Sequence, residues 1–236
     1  MNLENARIVV VGGTSGIGLA TAIAARQAGA RVVVAGRSAE GRERARRADP
    51  ALDVQQLDVN AGPELAEVLS GVGAVDHLVV TAAEAITGRL ADLDEVRART
   101  VLATKVWGPC RVIRAALPRM SAEGSITLFS GAAARRASPG FALGSAVNAA
   151  VEALAVSLAA ELAPVRVNAV RPGIIETPVW AGLPELRAQV FSGVVPRLPS
   201  RRAGRAEEVA AAVLFLLTSP YVTGSVLTID GGYLLV

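Results

Sequence analysis

The sequence predicts one α/β domain, a doubly wound parallel sheet of about seven strands with helices on both faces. Three observations carry this. Seven apolar runs rich in β-branched residues recur along the 236 residues, and helical patterns lie between most of them. The first two runs, 8–11 and 32–35, are continuously apolar rather than alternating, as strands covered on both faces must be. Parallel strands need right-handed crossovers, and such a sheet offers its carboxyl ends to ligands.

The elements follow in order. Strands are expected at 8–11, 32–35, 54–57, 77–80, 126–129, 165–170 and 226–229. Helices are expected near 17–28, 39–48, 63–70, 92–118, 142–162 and 206–217, where apolar residues return at helical spacing. No linker, repeat or low-complexity stretch divides the chain, so residues 1–236 form a single domain. The stretch 176–202 stands apart. Pro178, Pro184, Pro196 and Pro199 should break regular structure there, and it is the candidate lid over a substrate.

Composition narrows the function classes. Apolar residues make up 52% and aromatics only 3%, so the core is built from Ala, Val, Leu and Ile. Net charge is +3, with arginine clusters at Arg42, Arg44, Arg46, Arg47 and at Arg201, Arg202, Arg205. Nucleic-acid surfaces interleave basic residues with aromatics, which are nearly missing here; solvated helix faces are the preferred reading. No membrane span and no signal peptide are expected, and the single cysteine, Cys110, suits a reducing, cytoplasmic setting. No His/Cys/Asp cluster has metal-ligand spacing.

The glycine-rich turn Gly12-Gly13-Thr14-Ser15-Gly16-Ile17-Gly18 follows the first strand and opens the first helix. Strand, glycines, helix is the order that brings backbone close to a dinucleotide pyrophosphate. Gly12, Gly16 and Gly18 leave no Cβ in the way, and the first helical N–H groups face the negative charge. The second strand runs into Gly36-Arg37-Ser38. An acidic residue here would accept from a ribose and repel a 2′-phosphate, whereas Arg37 can grip one. NADP(H) is therefore favoured over NAD(H).

These features resemble the short-chain dehydrogenase/reductase family over nearly the whole chain. The turn is similar to the family's Thr-Gly-x-x-x-Gly-x-Gly, with Val11 in the threonine place. Asp58-Val59 resembles the Asp-Val that holds the adenine in the family. The run from Val167 to Thr177 resembles the family's Pro-Gly segment around Pro172 and Gly173, where Ile175 and Thr177 would contact the nicotinamide carboxamide and phosphate. Thr223-Gly224 and Asp230-Gly231-Gly232 resemble its C-terminal strand signature. Ala82 and Ala83, after the fourth strand, would let the backbone pass close to the cofactor. The resemblance also implies a homodimer or homotetramer, packed through the long helices.

One part of the pattern is missing. The family supplies its proton donor as Tyr-x-x-x-Lys, preceded by a serine. Here Gly144 stands in the tyrosine place, Asn148 in the lysine place and Gly131, after Ser130, in the serine place. The only tyrosines, Tyr221 and Tyr233, lie near the C-terminus. The family's active-site asparagine corresponds to Lys105, the only lysine of the chain. Lys105 is the first candidate for the catalytic charge, with its pKa lowered by burial. Glu84 is a second candidate acid, and Ser130 and Asn148 are further candidates.

Three functions remain open at this point. The first is an atypical NADP(H)-dependent oxidoreductase moving hydride to or from a small organic carbonyl, imine or activated alkene, with a non-standard proton donor. The second is a non-redox cyclase, isomerase or lyase on the same scaffold. The third is a catalytically silent homologue.

Overall fold

The structure is a computed structural model that describes residues 3–61, 64–82, 84 and 86–236. Its centre is a seven-stranded, wholly parallel sheet. In chain order the strands are β1 (Arg7–Val11), β2 (Arg31–Gly36), β3 (Asp53–Gln56), β4 (Val75–Val80), β5 (Met120–Phe129), β6 (Arg166–Pro172) and, last in the chain, β9 (Val226–Ile229). They lie in the order β3-β2-β1-β4-β5-β6-β9. The chain therefore reverses its winding between β1 and β4, and their carboxyl ends open a crevice there.

Residues of β1 alternate between two apolar layers. Ile8 and Val10 enter one, Val9 and Val11 the other, and all four are essentially inaccessible. The first layer is closed by α1 (Gly16–Gln27), α2 (Ala39–Ala48) and α8 (Ala206–Thr218). The second is closed by α3 (Glu64–Val72), α5 (Gly108–Ala116) and α6 (Ala142–Glu161). Among the described residues α6 is the one helix long and apolar enough to cross a membrane. Here it is the crossover between parallel β5 and β6, with Val147, Val151 and Ala155 buried beneath it.

Two sequence expectations need correction. The pattern at 92–118 is not one α-helix. It comprises a short 3-10 turn at Leu90–Asp92, α4 (Glu95–Leu102), a π-turn over Ala103–Trp107, and α5. Pro109 explains the widening: it has no N–H for the carbonyl of Lys105 four residues earlier, and its ring would strike that carbonyl in a regular α-helix. Lys105 thus sits on the one π-turn among the described residues.

The second correction concerns 176–202, which is not irregular. After the short strand β7 (Ile175–Glu176) come a 3-10 turn at Pro178–Gly182, α7 (Pro184–Gly193) and another turn at Val195–Arg197. Pro178 and Pro184 open these elements rather than break them, because the missing N–H costs nothing in a first turn. The segment is anchored at both ends, by β7 pairing with β8 (Gly204–Arg205) and by Trp180 Nε1 donating to the Ile175 carbonyl at 2.8 Å. Trp180 also meets Phe191 edge-on, ring centroids 5.5 Å apart.

Candidate active site

A cleft of about 500 Å³ occupies the crevice at the ends of β1, β2 and β4. Its floor is the glycine turn. Gly12 has φ +86°, and a Cβ there would stand 2.6 Å from the Ala82 nitrogen, so only glycine fits. A Cβ on Gly18 would meet the carbonyl of Gly12. Ser15 caps α1 without a side-chain hydrogen bond, which leaves the first-turn N–H groups to a ligand.

Most of the expected cofactor residues meet on this wall: Gly12, Thr14, Ser15, Gly16, Ile17, Gly18, Arg37, Ser38, Val59, Ala82, Pro172 and Thr177. Ser38 also caps α2, accepting from the Gly41 N–H at 3.1 Å. Three expected residues lie off the wall. The Asp58 carboxylate accepts from the Asn60 N–H at 2.9 Å, Ile175 is buried where its strand pairs with β8, and Gly173 faces the neighbouring cavity. Ala83 lies outside the described residues.

Two arginines face the cleft from its β2 side. The Arg37 guanidinium has no partner among the described residues, and its loop is held by Arg42, whose Nη1 donates to the Arg37 carbonyl at 2.6 Å. Arg44, read from sequence as part of a solvated helix face, also lines the cleft and pairs with Glu40 at 2.9 Å. The sequence signal for it is its place one turn into the helix that starts beside Arg37. These residues suit a dinucleotide: a cradle that any side chain would fill, free backbone donors for a pyrophosphate, and in Arg37 an unpaired cationic donor for a further phosphate, with the paired Arg44 beside it.

A second cavity, about 250 Å³, adjoins the first. Lys105 lines both. Its ammonium has no hydrogen-bond or ionic partner among the described residues, and burial lowers its pKa to about 8. Glu84 and Asn148 line the second cavity, as do Gly131 and Gly144. On α6, Gly144, Asn148 and Glu152 follow at i, i+4 and i+8 and form one stripe facing this region. Asn148 donates Nδ2–H to the Gly144 carbonyl at 2.8 Å, while its buried Oδ1 accepts nothing. A Cβ on Gly131 would stand 3.2 Å from that oxygen.

Ser130 is placed differently from the other three catalytic candidates. It touches the first cleft, but its hydroxyl donates to Glu152 Oε1 at 2.7 Å. Glu152 in turn receives two hydrogen bonds from Arg171, at 2.6 and 2.7 Å, and lies 3.4 Å from Arg135. Burial works against the Glu152 carboxylate, but the bonds from Arg171 and Ser130 prevail and hold its pKa below the usual value. The Ser130 hydroxyl is thereby committed to a buried ionic network.

The sequence also missed Tyr233 and Arg136, both on the second cavity. The C-terminal 3-10 turn Tyr233–Leu235 brings the tyrosine ring there, and the Arg136 guanidinium lies over that ring, 4.5 Å from its centroid. His77, the one histidine of the chain, lies away from both cavities. It lies within β4, its Nδ1 bonds to Ser125 Oγ at 2.9 Å, and burial together with Arg166 lowers its pKa to about 4, against the opposing pull of Asp76.

The parallel sheet order, the glycine cradle at its reversal point and the adjoining cavity define a nucleotide-binding oxidoreductase fold. The family model described as enoyl-(acyl carrier protein) reductase matches residues 11–234. The chain belongs to the short-chain dehydrogenase/reductase family. It is 33% identical over 246 residues to the 3-oxoacyl-(acyl-carrier-protein) reductase FabG of Thermotoga maritima, covering 98% of this chain and 99% of the relative. A small-chain dehydrogenase solved in complex with NADPH superposes with a TM-score of 0.86 at 32% identity, covering 99% of this chain and all of the other. The MalC reductase/Diels-Alderase from Malbranchea aurantiaca superposes at 0.89 with 29% identity, covering 99% and 98%.

Proposed function

We propose that this protein is an NADP(H)-dependent oxidoreductase acting on a small organic carbonyl, imine or activated alkene, with Lys105 in place of the family's tyrosine as the proton-holding group. The observation that carries the reading is the position of Lys105: an unpaired ammonium with a pKa near 8, on the wall shared by the dinucleotide cleft and the second cavity. A general acid works best with a pKa close to the operating pH.

When bound, the nicotinamide supplies or accepts the hydride. The chain's own residues do the rest. Gly12, Gly16 and Gly18 hold the pyrophosphate against free backbone donors, and Arg37 and Arg44 favour a 2′-phosphate. Lys105 Nζ gives a proton to the heteroatom or carbon that becomes negative as the substrate is reduced, and takes it back in the reverse direction. Segment 176–202 acts as the lid: Val179, Trp180, Leu183 and Val190 face the second cavity and exclude water. A cytoplasmic setting and a homodimer or homotetramer belong to the same proposal; Trp107 and Phe215 are large apolar side chains left exposed on the helices of one chain.

Two observations favour a second reading, a non-redox cyclisation or isomerisation. The family's Ser, Tyr and Lys places hold Gly131, Gly144 and Asn148, and the similar MalC protein is named for a cycloaddition as well as a reduction. Labelled NADPH separates the two. Stereospecific transfer of deuterium into product, lost in Lys105→Met, supports the first; product formed without reduced cofactor selects the second. Before that, fluorescence titration with NADPH and NADH tests the cofactor. No binding of either at millimolar concentration removes the oxidoreductase reading.

A further inference from the structure

The second cavity is apolar over most of its wall, with Ile86, Val101, Phe141, Val147 and Leu186 among its lining. Against that background its charged groups are few. Among the described lining residues they are Lys105, Arg136 and Glu84, an excess of one positive charge. Low-dielectric walls strengthen whatever field those groups produce.

Arg136 is held in an unusual way. Its guanidinium face is stacked on Tyr233, and Nη1 donates to the Tyr233 carbonyl at 3.3 Å. Stacking uses the face of a guanidinium, while its hydrogen bonds run in the plane. Among the described residues Nη1 alone has an acceptor, and Nε is buried without one. Arg136 also has no carboxylate partner among them, unlike its neighbour Arg135, which is paired with Glu152. The charge of Arg136 on the cavity wall is therefore not neutralised by any described side chain. Asn148, which lines the same cavity, carries a second buried polar atom without a partner, its Oδ1.

We infer that the cavity takes a substrate carrying a carboxylate, and that Arg136, braced by Tyr233, is the residue that selects it. The inference rests on the second cavity being the substrate site, and it adds the substrate class. Lys105 marks the end of the cavity that meets the dinucleotide cleft, whereas Arg136 lines the second cavity only. The substrate is therefore an oxo-acid, or its imine or enoic counterpart, whose reacting carbon and carboxylate are separated by an apolar stretch. A volume of about 250 Å³ keeps it small, below the roughly 300–1,000 Å³ of drug-sized sites.

The test is calorimetric titration of the protein saturated with oxidised NADP, which cannot reduce a ketone, with benzoylpropionate and, separately, its methyl ester. The acid is expected to bind at least about tenfold more tightly than the ester. Raising KCl from about 0.05 to 0.5 M should weaken the acid and spare the ester. Arg136→Gln should bring the acid down to the level of the ester and leave NADPH affinity unchanged. Equal binding of acid and ester by the unmodified protein, equal salt effects on both, or no acid binding at millimolar concentration overturns the inference without recourse to the variant. Because the readout is binding, the two proposals fail separately. Acid bound without hydride transfer removes the redox reading alone, and an ester reduced as readily as the acid removes the anion anchor alone.

Discussion

Arg171 grips Glu152 through two parallel hydrogen bonds, and the paired carboxylate also accepts from the Ser130 hydroxyl. Arg171 stands near the end of β6 and Glu152 on α6, so the contact ties a crossover helix to the strand it precedes. Arg171 Nη1 also donates to Thr228 Oγ1 at 2.9 Å, which extends the tie to β9. Breaking a buried pair leaves the other charge without compensation. Glu152→Ala is expected to cost about 3–5 kcal/mol in urea unfolding. Ser130→Ala, which removes one hydrogen bond, should cost about 1–3 kcal/mol and leave catalysis nearly unchanged.

Lys105 makes a pH-dependent prediction with two readouts. Its ammonium is the proton-carrying form, so reductive kcat/KM should fall as pH rises through about 8, and Lys105→Met should abolish that limb along with most of the rate. Stability runs the opposite way. A folded-state pKa near 8 against an ordinary 10.5 means burial penalises the charge below pH 8, and the penalty disappears as pH climbs to 10.5. Lys105→Met should therefore raise Tm at pH 7, with an advantage that shrinks between pH 8 and 10.5. Thermal scans across that range check the sign.

Arg37 and Arg44 flank one end of the dinucleotide cleft, so their effect should depend on the 2′-phosphate. Arg37→Asp is expected to raise the NADPH dissociation constant by about one to two powers of ten, the worth of one charge-assisted hydrogen bond. NADH should be affected little. Arg44→Gln should give a smaller loss in the same direction, because Glu40 already shares its charge. Fluorescence titration with both cofactors checks this, and equal losses for the two would exclude a phosphate contact.

His77 is a stability switch remote from the site. Its pKa is lowered from 6.5 to about 4, so the folded state binds fewer protons than the unfolded chain between those values. Stability should be complete above pH 6.5 and fall as pH drops toward 4, by roughly 3 kcal/mol in all. His77→Gln keeps a polar partner for Ser125 and should flatten this slope. Urea denaturation at pH 7 and pH 5 measures it.

The sheet and the cofactor cradle were readable in the sequence because both rest on local rules. Apolar runs rich in β-branched residues, separated by helical periodicity, leave few arrangements other than a parallel sheet. The spacing of Gly12, Gly16 and Gly18 after a strand reflects backbone geometry within one turn. Pro109 was also a readable signal for the π-turn that carries Lys105, since its effect acts only four residues away.

What the chain's order could not contain is which side chains meet across it. Arg136 and Tyr233 are 97 residues apart, and they touch because the C-terminal turn folds back over the β6 end of the sheet. Glu152 and Arg171 pair because α6 crosses beside β6, and the same carboxylate accepts from the Ser130 hydroxyl. The sequence by itself determined the fold class, the dinucleotide cleft and the absence of the family's tyrosine and lysine. Tertiary structure alone decided which cations remain unpaired. An arginine's freedom depends on the carboxylates packed around it, and that neighbourhood exists only once the sheet order has brought distant segments together.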